Sequence, residues 1–298
     1  MAAGMTGEPV STRGPLKSEP LSEAPPTLRL QRNPCGAGPV LLLLHGVTRS
    51  GADWAPLLPA LQEDWTVIAL DQRGHGSSPR GDRYQVTDYV ADAVRFVRDE
   101  AAGPVVIFGH SLGAMVAAAA AAELPDRVRG IILEDPPFHT MGKRIAGSTW
   151  QALFLGMKAA AEAGGSTEVI TEALVNISLP ASGDGGGFKR LGDLRDRASL
   201  TWSAECLRQL DPKVLTPVIE GRWLDGYDFP SLLSGVRCPT LLLQADPSAG
   251  GALTDGDAET LKSLVADCQH VRFPGCGHNL HRDRPKEVLQ ALQGFAAL

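Results

Sequence analysis

The chain has 298 residues, enough for one large domain or two small ones. At 43% hydrophobic and 21% charged residues, its composition is that of an ordinary globular protein. The formal net charge is −6, and the seven His and 28 Lys and Arg are scattered, which excludes the basic patch that a nucleic-acid or anionic-membrane partner needs.

Residues 1–25 carry Pro, Ser, Gly and Glu without a hydrophobic period and read as a disordered tail. The start, MAAGMTGEPVSTRG, lacks the basic and apolar regions of a signal peptide. No run approaches the ~18 consecutive apolar residues of a membrane span. Cys35, Cys206, Cys238, Cys268 and Cys276 are odd in number with no CxxC pair, so neither a disulfide framework nor a zinc site is indicated. A reduced cytoplasm is the expected compartment.

From residue 27 the pattern changes. TLRLQRN (27–33) suits an edge strand, and PVLLLLH (39–45) is a continuous apolar run bounded by Gly and Pro, as buried parallel strands are. TVIAL (66–70), PVVIFG (104–109), RGIILE (129–134), PTLLLQ (239–244) and HVRF (270–273) repeat it. Between them WAPLLPALQ, TDYVADAVRFVRDEA, LGAMVAAAAAAEL, DGDAETLKSLVA and PKEVLQALQGFAAL show helical spacing. Such alternation predicts an α/β fold: a mostly parallel, doubly wound sheet with helices on both faces.

Residues 136–235 interrupt the alternation with helical candidates (STWQALFLGMKAAAEA, TEVITEALVN, SAECLRQL) and a Gly-rich break, SGDGGG (182–187). Because the chain then returns to the same sheet, they read as an inserted helical cap on a core formed by 26–135 and 236–298. A second independent domain is the alternative.

Three short blocks carry chemistry. Gly109-His110-Ser111-Leu112-Gly113 falls between a strand and a helix, where glycines permit a turn that lifts a Ser hydroxyl clear of the backbone. Its helix start favours developing negative charge. His45-Gly46-Val47-Thr48 ends the first buried strand, and the N–H groups of Val47 and Leu112 together would form an oxyanion hole. Gly275-Cys276-Gly277-His278 lies between the last strand and the C-terminal helix, from where His278 could act as general base on Ser111. A lone His is usually structural, but this one completes the order Ser…acid…His. His75, His110 and His281 are less well placed and read as structural or pocket-lining. Cys276 lacks a basic partner and reads as packing.

LLLLHGVTRSGADWAPLLPALQEDWTVIALDQRGHGSS, VVIFGHSLGAMVA and FPGCGHNLHRDRP resemble the sequence blocks of the α/β-hydrolase superfamily, in correct order over about half the chain. The resemblance implies Ser111 as nucleophile, His278 as base and Val47 and Leu112 as oxyanion donors. Asp71-Gln72-Arg73-Gly74-His75-Gly76 matches a further block, with a structural role beside the site. Members commonly place the triad acid in Gly-x-x-Asp after the penultimate strand. Here Ala245 takes the Gly position and Ser248 the Asp position, and Asp246 comes two residues early, before Pro247. Some branches, haloalkane dehalogenases among them, place the acid after the strand that follows the nucleophile helix; here that is Asp135. Asp135 is set first and Asp246 stays as its rival, with Glu134 weaker than either.

A Ser nucleophile disfavours Asp-based epoxide and dehalogenation chemistry. The expected activity is hydrolysis of an ester or lactone of an apolar small molecule through an acyl-enzyme on Ser111. The alternatives are C–C bond hydrolysis, a cofactor-free oxygenase or perhydrolase, and a low-turnover receptor. Phe138, Trp150, Phe154, Trp202, Trp223, Tyr227 and Phe229 suggest an apolar pocket or plain packing. No Arg cluster marks the cap, Arg73, Arg144, Arg190 and Arg222 have no assigned place, and a strongly anionic substrate is not indicated. No cofactor or metal is implied, neither nucleic acid nor membrane is expected as partner, and a homodimer is allowed.

Overall fold

A computed structural model describes residues 38–180 and 187–295 and the backbone of 30–32. The tail expected over 1–25, most of the Gly-rich break and Cys35 lie outside the described residues.

Strands β1 (Leu30–Arg32), β2 (Val40–Leu44), β3 (Thr66–Leu70), β4 (Val105–His110) and β5 (Val128–Glu134) alternate with helices α1 (Leu58–Asp64), α2 (Val86–Asp99) and α3 (Leu112–Glu123). An inserted segment follows. It holds α4 (Thr149–Ala163), α5 (Thr167–Val175), the strands β6 (Ser178–Pro180) and β7 (Phe188–Arg190), α6 (Arg197–Arg208), α7 (Leu215–Ile219) and α8 (Phe229–Leu233). The chain then returns through β8 (Thr240–Ala245), α9 (Asp255–Leu264), β9 (Cys268–Phe273), α10 (Leu280–Asp283) and α11 (Pro285–Gln293).

Among the described residues the main sheet has seven strands, in the order β1-β3-β2-β4-β5-β8-β9. Only β1 runs antiparallel, on the edge beside β3, as an N-terminal edge strand can. Along β2, Leu42 and Leu44 face one apolar cluster and Leu41 and Leu43 the other, so the strand is buried on both sides. This is why it reads as an unbroken apolar run rather than an alternation. Helices α2 and α3 and much of the insertion cover the first face; α1 and α11 cover the second. From Leu112 to Ala121 every residue of α3 is buried, which explains its lack of a polar stripe.

Strand order reverses between β2 and β4: β3 lies beyond β2 on one side, and β5, β8 and β9 follow β4 on the other. The carboxyl ends of strands at such a switch point leave a crevice where open α/β sheets bind ligands. The inserted segment has Ser148, Ser166 and Asp196 capping α4, α5 and α6. It also carries the β6–β7 hairpin, which sequence reading omitted because each strand has only three residues. Its last helix, α8, packs against α3 and α9 and so belongs to the body rather than to the crevice. Among the described residues no helix is long and apolar enough to cross a membrane.

Candidate active site

Ser111 immediately follows β4 and immediately precedes α3, at φ 54° and ψ −113°. For a residue with a Cβ such a backbone costs about 1–3 kcal/mol. The surroundings hold it there: Ser111 N–H donates to Glu134 O (2.8 Å), and Ala114 N–H donates to Ser111 O (3.0 Å). Two glycines are obligatory for steric reasons, since a Cβ on Gly109 would strike the Gly113 carbonyl and one on Gly113 the Leu44 carbonyl. The turn is therefore compressed against both α3 and β2, leaving the serine at the crevice.

Asp135 occupies the equivalent position one strand over. His110 pairs with Glu134 in the β4–β5 register, so Ser111 and Asp135 are the first residues past two adjacent strand ends. Asp135 also has positive φ, 46°. Its buried carboxylate accepts three backbone N–H groups, from Ala245 (3.2 Å), Ala252 (2.7 Å) and Leu253 (3.2 Å). His278 Nδ1–H donates to Asp135 Oδ2 at 2.6 Å. A carboxylate only accepts, so the proton sits on Nδ1 and Nε2 is left as the basic nitrogen.

Asp246 is elsewhere. It caps a short 3-10 turn, accepting from Ser248 N–H (2.8 Å), Ser248 Oγ–H (2.6 Å) and Gly275 N–H (2.8 Å). The Ser248 hydroxyl, with these backbone donors, holds its carboxyl down at about 2. The loop after β8 thus supplies N–H donors to an acid from another strand, and its own acid closes a turn.

Ser111 and His278 line one narrow cleft, together with Gly46, Val47, Thr48, Arg49, His110, Trp150, Leu153, Phe154, Met157, Arg195 and Asn279. Val47 comes to it from the loop after β2, and Leu112 is the first residue of α3, where helix N–H groups have no intrahelical acceptor. That loop is braced from behind. His45 Nδ1–H donates to Gly46 O (2.8 Å) and its Nε2 accepts from Gln72 N–H (3.0 Å), while Gln72 Nε2–H donates to His45 O (2.6 Å). Asp71 accepts from Gly51 and Ser77, and Arg73 forms a buried bidentate pair with Asp92 (2.6 and 2.8 Å). The Asp71–Gly76 block reaches the site through this bracing and through His75, whose Nε2 lies 3.3 Å from Val47 O.

The other histidines separate by environment. His110 Nε2–H donates to His278 O (2.9 Å), and burial beside His278 and His281 pushes its pKa well down. His75 is buried and held down to about 3 by burial and by His45. His281 presents both ring nitrogens to carboxylates, Nδ1 to Glu134 (2.8 Å) and Nε2 to Asp53 (3.0 Å), so both must carry protons. Burial opposes that charge, but Glu134 and Asp53 outweigh it and lift His281 to about 9. Glu134 also accepts His281 N–H (3.1 Å), fixing the chain three residues beyond His278. Asp53, His110 and His281 lie close enough to suggest a metal set. The short His281–Asp53 contact is already a hydrogen bond, however, and His281 needs both protons for its partners. Burial raises the Cys276 thiol to about 11, which suits packing.

Of the cap aromatics, Trp150 and Phe154 reach the cleft. Phe138 stacks on Phe229, Trp223 is in the core, Tyr227 donates to Met115 O and Trp202 donates to Asp53. Arg73, Arg144, Arg190 and Arg222 lie outside it, close to Asp92, Asp257, Asp193 and Glu220. The cleft is nevertheless not purely apolar, because Arg49 and Arg195 line it. Sequence reading missed both: they stand 146 positions apart, Arg49 just past the His45–Thr48 block and Arg195 with no motif around it, and only the approach of the inserted segment to the β2 loop joins them.

Comparison with known proteins agrees with this geometry at the level of fold and family. A "2-(acetamidomethylene)succinate hydrolase" from Mesorhizobium japonicum is 42% identical over 101 residues, 34% of this chain and 36% of that protein. "Lipase LipV" of Mycobacterium tuberculosis is 37% identical over 119 residues, 40% of this chain and 45% of that protein. The matched segments thus span less than half of either relative. A solved structure of a marine microorganism esterase superposes with a TM-score of 0.71 at 24% identity, covering 91% of this chain and 99% of that one. The sequence profile of the alpha/beta hydrolase family matches residues 41–291, and the chain belongs to that family.

Proposed function

We propose that the protein is a serine hydrolase that opens an ester, lactone or related acyl bond through an acyl-enzyme on Ser111. The observation that carries this reading is the convergence of Ser111, on its strained strand-to-helix turn, and His278, hydrogen-bonded at 2.6 Å to buried Asp135, on one cleft. Ser111 Oγ attacks the carbonyl carbon while His278 Nε2 takes its proton. Asp135 holds the Nδ1–H tautomer and stabilises the imidazolium. The oxygen that becomes negative is received by the N–H groups of Val47 and Leu112, each such donor contributing a few kcal/mol at the transition state. His278 returns the proton to the leaving group, and water, activated by the same nitrogen, then releases the acid. Asp135 is favoured over Asp246 because Asp246 is committed to Ser248 and Gly275.

The relatives' names cover a lipase, an esterase and an acetamido compound, and this supports acyl transfer without fixing the leaving group. The test is a fluorophosphonate label followed by peptide mapping, beside a screen of p-nitrophenyl esters, lactones and acetamides. Labelling should fall on Ser111 and vanish in Ser111→Ala together with turnover. A folded wild-type protein that takes no label and turns over none of these substrates would refute the proposal.

A further inference from the structure

Part of the cleft wall is not used by the hydrolytic steps. Arg49 enters it from the β2 loop and Arg195 from the turn before α6, flanked by Trp150, Leu153, Phe154 and Met157. Among the described residues no carboxylate lines the cleft. Asp135 lies behind His278 with its oxygens occupied, and Asp53 is shared among Trp202 (2.7 Å), Arg282 (3.2 Å) and His281 (3.0 Å).

The two guanidiniums differ in how they are held. Arg49 is buried and fixed: Nη1 donates to Ser203 Oγ (2.9 Å), Nη2 reaches Asn279 Oδ1 (3.4 Å), and Nε stands 3.9 Å from Asp53. Arg195 is partly buried, and among the described residues its side chain has neither hydrogen bond nor ion pair. Burial and the neighbouring charge of Arg49 lower its pKa to about 10, with Asp283 acting against them from beyond ion-pair distance. It therefore stays cationic at neutral pH. A guanidinium drawn from water without a partner is unfavourable, so an anion that reaches it gains more than it would on an open surface. The planar fork of Arg suits a carboxylate in two-point contact.

From this arrangement we propose that Arg195, with Arg49 behind it, binds a carboxylate on the substrate. The protein then selects small anionic acyl compounds, such as half-esters of dicarboxylic acids, over neutral ones of equal length. This rests on the hydrolase reading above. Trp150, Leu153, Phe154 and Met157, which line the same cleft, would hold the short carbon chain between the carboxylate and the carbonyl at Ser111.

The experiment compares monoethyl glutarate and monoethyl adipate with ethyl pentanoate and ethyl hexanoate. In the wild type kcat/KM should favour the half-esters by about tenfold or more. In Arg195→Met that ratio should fall about 10- to 100-fold, the span of a charged hydrogen bond, while Arg195→Lys keeps part of it. Equal or lower activity on the half-esters in the wild type, or an unchanged ratio in Arg195→Met, overturns the proposal. A binding arm separates it from the hydrolase reading. Calorimetry of glutarate with Ser111→Ala should show salt-sensitive binding that is lost in the Ser111→Ala, Arg195→Met double variant. If neither ester class turns over yet this binding is seen, the hydrolase reading fails and the carboxylate site stands. If neutral esters turn over and glutarate does not bind, the carboxylate site fails and the hydrolase reading stands.

Discussion

Ser111 and Asp135 both hold positive φ without being glycine, and they sit side by side past the ends of β4 and β5. Backbone of this kind persists only where neighbours over-determine it, and here the neighbours are visible: Glu134 O for Ser111 and three N–H donors for Asp135. The two candidate acids can be told apart on that basis. Asp135→Asn keeps the shape but removes the charge facing His278 and lets the imidazole settle in the wrong tautomer. We expect turnover of an active ester to fall about a thousandfold or more. Asp246→Asn loosens a surface turn and should cost less than about tenfold. A loss of activity confined to Asp246→Asn would reverse the assignment. The sequence narrowed the acid to these two residues through the missing Gly-x-x-Asp. The choice between them rests on where a loop 110 residues away folds.

At the level of the element, the turn from β4 to α3 depends on absent side chains more than on present ones. Gly113 lets α3 lie against the β2 backbone, and a Cβ there would enter the Leu44 carbonyl, which cannot swing aside as a side chain could. Gly113→Ala should therefore destabilise the fold by about 1–3 kcal/mol, the usual cost of overpacking, seen as a lower denaturant midpoint. Because the shift moves the Leu112 N–H as well, activity should fall further than stability predicts. A variant with both unchanged would mean that the helix has room to move. The stretch after His278 is set by a different device. His281 is clamped between Glu134 and Asp53, and His110 holds the His278 carbonyl, so His278 is positioned from three sides. The sequence marks His110 and His281 as structural or pocket-lining and Glu134 as a weaker acid candidate without naming their partners, since each clamp joins residues far apart in the chain.

Over the whole molecule, buried histidines of opposite character shape the dependence of stability on pH. His75 and His110 are held neutral, His75 down to about 3. The unfolded chain takes up protons near pH 6.5 that these rings refuse, so stability should decline as pH falls below about 6.5. His281, lifted to about 9, contributes fully below about 6.5, and that contribution is lost as pH rises through about 9. A maximum near neutral pH follows, with a slope of at most about 1.4 kcal/mol per pH unit from each group. Urea midpoints between pH 7 and 9 should decline in the wild type and decline less steeply in His281→Asn, the remaining slope coming from thiols that burial raises to about 11. An unaltered slope would remove His281 from this role.

The sequence by itself determined the family, the mostly parallel sheet and the choice of Ser111 and His278 as the residues to test. These are local signals: apolar runs for strands buried on both faces, helical spacing, and glycines flanking a Ser and a His between strand and helix. Only the tertiary structure decided which carboxylate faces His278, which of the cap aromatics reach the cleft, and that Arg49 and Arg195 share its wall. Each of these depends on side chains from distant segments meeting across a strand order that reverses between β2 and β4, and burial and charge pairing there are properties of the meeting, not of either segment.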